Sequence, residues 1–398
     1  GGSVATQQQF PPGYVDPAPL LAAVAEEIGE ANLRCITYSG ARYSGAVGQT
    51  FENAVNVDWP RIDSMANYTR TINWETGTSK ETFDREPGLN PASWKYGIGW
   101  EGGTPTQKET RQTHIVNGQS AWHMDGDGPP VAVPPELAEV YQLDMWLNPH
   151  GFLKAAMMPG ANPKATWRWE LGEMGRDGAT TQPEKVTIVS ITMLDKYRVD
   201  ATVNSENLLQ RIHTWVGDPV LGDMNYEHEF TNAAYVDLGD GIRFPTGWHH
   251  HAGWDDNFQA QTVTAGHNAF GGTLDQIEAN ACGNAVRVPD AVRQATFPNT
   301  VATTELADGV WLLGGASHNS VAVEFENYVA VIEAPLDEPH NLAVIEYGKD
   351  PLISSAFYIA VDVERFLPLD DFRRRVDQLV DQAHSNEPIE PDQPALVP

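Results

Sequence analysis

The chain has 398 residues, 41% of them hydrophobic and 20% charged, so it can build a sizeable core and wholesale disorder is excluded. Lys and Arg number 25 against 54 Asp and Glu, a formal charge of −29 that repels phosphate backbones and anionic lipid and argues against nucleic-acid and membrane-surface roles. No apolar run reaches the roughly 18 residues that a membrane-spanning helix needs.

Residues 1–17 read as a flexible arm, the polar, glycine-rich opening "GGSVATQQQFPPG" being what signal removal or an appended leader would leave. "DPAPLLAAVAEEIGEANL" (16–33) then places Leu20, Leu21, Val24, Ile28 and Leu33 at helical spacing behind Asp16 as cap. Alternating stretches follow at 34–45, 66–76, 80–86 and 111–126, with Asn117-Gly118 as a hairpin signal. A second helical run, 134–158, should break at Asn148-Pro149. Strands resume at 184–193, 197–204, 208–216, 225–239 and 242–251, and "VPDAVRQA" (288–295) suggests a short helix opening a linker.

Strands whose side chains alternate leave one apolar face that must be covered. The expected fold is therefore mainly β (α+β), a large curved antiparallel sheet wrapped around a helix. Tyr141, Leu143, Met145, Trp146 and Phe152 should plug its concave side. The aromatics Trp122, Tyr141, Trp146, Trp215, Tyr226 and Trp248 would either line a pocket for a small apolar molecule or serve as core. Cys35 and Cys282 could form one disulfide in an oxidising compartment or remain buried thiols.

Several stretches carry a family likeness: "ITYSGARYSGAVGQ", "NYTRTINWETGTSKE", "LNPHGFLKAA", "HTWVGDPVLGDMNYEHEFTNAAYVDLGDGIRFPT" and "LADGVWLLGGASHNSVAVEFENYVAVIEAPL". Over residues 18–347 the chain resembles periplasmic metallo-β-lactamase-fold hydrolases, and its tyrosine-rich strands look similar to the lipoprotein-carrier half-barrel. The resemblance implies a half-barrel-like domain over 18–287, a partial metallo-β-lactamase-like sheet over 288–350, and a periplasmic or secreted location. The family's H-x-H-x-D-H zinc loop is missing, however. From residue 353 to 382 the chain instead resembles the C-terminal strand and helix of the malate/L-lactate dehydrogenase family, placing a strand–helix tail and a disordered C-terminus at 351–398.

Candidate chemistry concentrates in "GWHHHAGWDD" (247–256), where His249 and His251 would share one side of a strand and Asp255 would follow in a turn. Two imidazoles and a carboxylate suit zinc. His318 reads as structural. His123 with Asp125 and Asp127 could bind calcium but lacks the later glutamate of an EF-hand and reads better as a hairpin loop. His213 and His228, on strands beside Trp215 and Tyr226, could line an apolar cavity or occupy the outer face. No nucleophile elbow or phosphate-binding loop occurs. Two functions stay open. One is a non-catalytic extracytoplasmic module that binds a small apolar molecule or a partner subunit, its exposed strand edges allowing a homo-oligomer. The other is a metal-dependent hydrolase of the lactone, ester or β-lactam type, using His249, His251 and Asp255 or a site completed by another chain.

Overall fold

A computed structural model describes residues 13–45, 47, 61–87, 109–170, 184–218, 222–230, 234–253, 267–298, 301–314, 319–325, 329–333, 340–341, 343–344 and 358–361. The chain divides into two compact units between Thr296 and Phe297.

The first unit opens with β1 (Tyr14–Val15) and helix α1 (Pro17–Ile28). Asp16 caps α1 by accepting from the Ala18 amide, and Gly29 ends it in the left-handed conformation, at φ 66°. Strands β2 (Cys35–Gly45), β3 (Arg61–Asn73), β4 (Thr78–Pro87), β5 (Thr110–Asn117), β6 (Ser120–Asp125) and β7 (Val131–Ala132) form one antiparallel meander. The β5–β6 hairpin closes one residue later than the Asn-Gly signal suggested: Asn117 pairs with Ser120, and Gly118, at φ 57°, takes the first turn position. Asn117 is thereby released to donate from its side chain to the Val286 carbonyl, 2.7 Å away.

Two helices cross next, α2 (Pro135–Asp144) and α3 (Pro149–Ala156). Asn148 is the N-cap of α3, accepting from Gly151 N, so the expected Asn-Pro break is present. A second meander follows with β8 (Lys164–Glu170), β9 (Glu184–Met193), β10 (Tyr197–Val203), β11 (Leu209–Asp218) and β12 (Gly222–Glu229). A separate hairpin, β13 (Tyr235–Asp237) and β14 (Arg243–Pro245), leads into β15 (Gly247–Gly253) and β16 (His267–Ala279), and α4 (Asp290–Arg293) closes the unit.

Pairing of β16 with β2 fuses the two meanders into one open 14-stranded antiparallel sheet, order β1-β8-β9-β10-β11-β12-β15-β16-β2-β3-β4-β5-β6-β7. It is a curved half-barrel, as expected. The inner face is covered from the helix side in two patches. Leu21, Val24 and Ile28 of α1 and Phe152, Leu153 and Ala156 of α3 pack on Val189, Val199, Ala201 and Ile212, whereas Met145 and the hairpin residues Ile242 and Phe244 pack on Ile36, Tyr68, Ile72 and Phe83. Burial of these side chains, each contributing about 1.5–3 kcal/mol, is what holds helices to sheet. Cys35 and Cys282 form a disulfide with a Cα–Cα separation of 5.1 Å, tying the start of β2 to the segment just after its neighbour β16.

The second unit is a five-stranded sheet: β17 (Ala302–Ala307), β18 (Val310–Gly314), β19 (Ser320–Glu324) and β20 (Val329–Ile332) form an antiparallel meander, and β21 (Tyr358–Val361) adds parallel to β20. Val301, Leu313, Ala322, Val329 and Val331 form its core with Ala343 and Val344. His318 lies outside the described residues, as does the tail expected over 351–398 apart from β21.

Candidate functional site

The inner face carries charges where alternation alone would put apolar groups. Along β3 the inward positions are Tyr68, Arg70 and Ile72; Arg42 on β2 and Glu81 on β4 face the same way, and α2 ends on Asp144 above them. Arg70 donates to Asp144 at 2.8 Å through Nη1 and to Ser79 Oγ at 3.0 Å through Nε. The other Asp144 oxygen lies 3.3 Å from His228 Nε2 and accepts from Tyr226 at 3.4 Å. Alongside, Glu81 accepts from Arg42 at 3.2 Å and from Tyr68 at 3.0 Å, with His114 Nδ1 at 3.3 Å. A polar stripe thus runs across the half-barrel from β5 to β12.

Burial opposes charge on Arg42, Arg70, Glu81 and Asp144, and for these four the pairing decides the outcome. Desolvation raises the Glu81 carboxyl, but Arg42 and His114 outweigh it and hold it at about 2. Asp144 likewise sits well below the usual carboxylate range, desolvation being overcome by Arg70 and His228. His250, on β15, makes no such ion pair among the described residues. Burial, with His228 adding to it, drives its imidazole well below the ordinary histidine value, so it stays neutral, edge-on to Tyr226 with ring centroids 3.9 Å apart.

Trp146, at the end of α2, and Trp248, on β15, are half-buried and touch both apolar patches. Trp248 also meets Tyr38 edge-on at 6.0 Å and Tyr68 at 6.3 Å. Between Tyr38, Arg42, Arg70, Asp144, His228 and Trp248 lies a cavity of about 30 Å³, the room of roughly one water. Of the six aromatics expected to line one pocket, Trp248 lines this cavity, Tyr226 donates to Asp144 beside it, and Trp146 packs on both apolar patches. Tyr141 lies farther along, stacked on His114 with centroids 6.3 Å apart. Trp122 and Trp215 do not join them. Trp122 packs with Ile115 and Val292 on the opposite face of the sheet, and Trp215 points outward beside His213, 41% exposed. Both sit one residue out of phase with inward neighbours, Ala121 and Val216.

The histidines of β15 divide between the faces: His250 turns inward, while His249 and His251 lie outward with ring centroids 6.4 Å apart. Their outward partner is Glu229 of β12, which stands opposite His249 in the register and meets His251 Nε2 at 2.9 Å. One ligand-type atom from each of the three falls within 4.8 Å of the others, the one such grouping among the described residues. Asp255 lies outside the described residues. His123, Asp125 and Asp127 form no such grouping, and Asp125 accepts instead from Gln112 at 2.9 Å.

No protein-family model and no curated protein matches the chain. Solved structures do. A LolA superfamily protein from Nitrosomonas europaea aligns at 14% identity and TM-score 0.34, over 70% of this chain and 97% of its own. A putative outer membrane lipoprotein-sorting protein domain from Vibrio parahaemolyticus aligns at 7% and 0.32, over 66% and 93%, and a DUF1329 family protein from Desulfovibrio piger at 9% and 0.32, over 70% and 97%. None of these three is a metallo-β-lactamase-fold hydrolase. The expected kinship with that family, and with the dehydrogenase tail, is corrected accordingly. Most of the stretches that suggested it are strands of the half-barrel, and short alternating strands are common to antiparallel sheets of any ancestry. At these TM-scores the similar structures say nothing about what this chain does.

Proposed function

We propose that the half-barrel is a non-catalytic, extracytoplasmic module that holds a small apolar molecule between its inner face and the helix pair α2–α3. One observation carries the reading: the helix pair is fastened to the sheet at Asp144 by a partly buried ionic latch, Arg70 pairing with one oxygen while the His228 imidazole lies 3.3 Å from the other. Packing alone would hold two short helices more cheaply, since taking both charges out of water costs several kcal/mol per ion before their attraction is counted. What the ionic contact adds is a discrete two-state joint, because once water reaches it both partners are hydrated again. Lifting the latch would uncover Trp146, Trp248, Tyr226 and the apolar patches beside them. That movement is required, since the cavity of about 30 Å³ is far below the roughly 300 Å³ of a small-molecule site. The Cys35–Cys282 disulfide supports a location outside the reducing cytoplasm.

Titration with a fluorescent long-chain fatty acid tests the reading. Saturable binding of one probe per chain is expected, tighter in Asp144→Asn, because a weaker latch raises the population of the open, binding-competent state. A folded protein that shows no saturable binding would overturn it.

A further inference from the structure

The geometry points to a divalent transition-metal site of the zinc class on the outer face of the half-barrel, built from Glu229, His249 and His251. It is independent of the inner-face reading and lies on the other side of the same strands. The antiparallel register creates it. Glu229 and His249 are directly opposed, and His251, two residues on, returns to the same face, so three donors meet over one pair of strands.

The separations suit a metal. Donors about 2.1 Å from a tetrahedral zinc-class ion lie about 3.4 Å apart. Glu229 Oε2 and His251 Nε2, now 2.9 Å apart in a hydrogen bond, open by about 0.5 Å and give up the shared proton, and a pair at the 4.8 Å limit closes by about 1.4 Å divided between two side chains. Two of the ligands are fixed by burial: Glu229 is 4% exposed and His251 6%. His249 is exposed and leaves a route for the ion from solvent.

Two imidazoles and one carboxylate select for zinc, nickel, copper or ferrous iron over magnesium and calcium, which prefer all-oxygen shells. Arg211, the register partner of Glu229 across β11–β12, pairs with Glu170 and lies 3.8 Å from Glu227, so its charge is shared among three carboxylates rather than committed to Glu229. With only three protein ligands, a tetrahedral ion keeps its fourth position for water or another small donor.

The test is calorimetric titration of the chelator-stripped full chain with zinc chloride alone, comparing wild type, His249→Ala, Glu229→Gln and the nearby outer-face control His213→Ala. One ion per chain is expected in the wild type and the control, with affinity at least about tenfold weaker in both ligand variants. Because His249 is exposed, its replacement leaves the fold intact, which a thermal melt of the same sample checks. Absence of saturable uptake by the wild type, or His249→Ala binding within twofold of it, would overturn the site; so would displacement of zinc by equimolar magnesium. None of these outcomes bears on whether the inner face binds an apolar molecule.

Discussion

Asp144 brings Arg70, His228 and Tyr226 together at one carboxylate. Replacing it with Asn keeps the shape but leaves Arg70 buried without its counter-charge, so folding stability should fall by about 3 kcal/mol. Denaturant titration checks this, and the paired change Arg70→Met with Asp144→Leu should recover much of the loss; if it does not, the pair contributes more than its mutual neutralisation. A second residue sets the response to acid. His150 is fully buried, donates from Nε2 to the Arg243 carbonyl at 2.9 Å and stacks on Phe244, and burial pushes its imidazole down to about 4. The unfolded chain, with an ordinary histidine near 6.5, takes up its proton first as pH falls. Stability is therefore lost between about pH 6.5 and 4, by up to about 3 kcal/mol for this group at 1.36 kcal/mol per unit. Unfolding curves at pH 7 and pH 4.5 should show a smaller difference in His150→Gln than in wild type; equal differences would remove His150 as the cause.

At the level of the element, junctions are where the fold is least tolerant. Gly29 closes α1 at positive φ, and a Cβ there would come within 2.3 Å of the Gly241 carbonyl oxygen. Gly29→Ala should cost about 2 kcal/mol or more, seen as a lower urea midpoint at unchanged slope; a shift under 0.5 kcal/mol, taken as roughly the surface-substitution range, would mean the backbone yields there. Such junctions are also what the sequence displays best. The Asp16 cap and the Asn148-Pro149 break rest on one residue's chemistry, and alternation marked most strands because one face of each is buried. Register is different. Glu229 and His249 are 20 positions apart, with the β13–β14 hairpin between them, and nothing local says they are opposed. Asp255 was the natural candidate because it is near in sequence, whereas cross-strand pairing brings in Glu229. The inner polar stripe was illegible for the same reason: Arg42, Arg70, Glu81 and Asp144 come from four elements. One local signal was available, since Arg70 stands at the inward phase between Tyr68 and Ile72.

For the whole molecule, the Cys35–Cys282 disulfide spans nearly the entire half-barrel in sequence while joining neighbouring strands in space. It restricts the unfolded chain far more than it shapes the folded one. Replacing both cysteines with serine should lower stability by about 2–5 kcal/mol with the far-ultraviolet dichroism of the folded protein unchanged. The half-barrel itself is built as two meanders zipped at β16–β2, with its helices latched by charge over the seam where the two apolar patches meet. Contact quenching by a fatty acid brominated along its chain examines that seam directly, because bromine darkens only tryptophans it touches. Saturable quenching at one acyl chain per protein is expected, largely abolished when Trp146 and Trp248 are both changed to Phe, while loss of the outward Trp122 or Trp215 leaves it intact. Quenching that never saturates, or that survives the Trp146/Trp248 double change undiminished, would contradict binding beneath the helices.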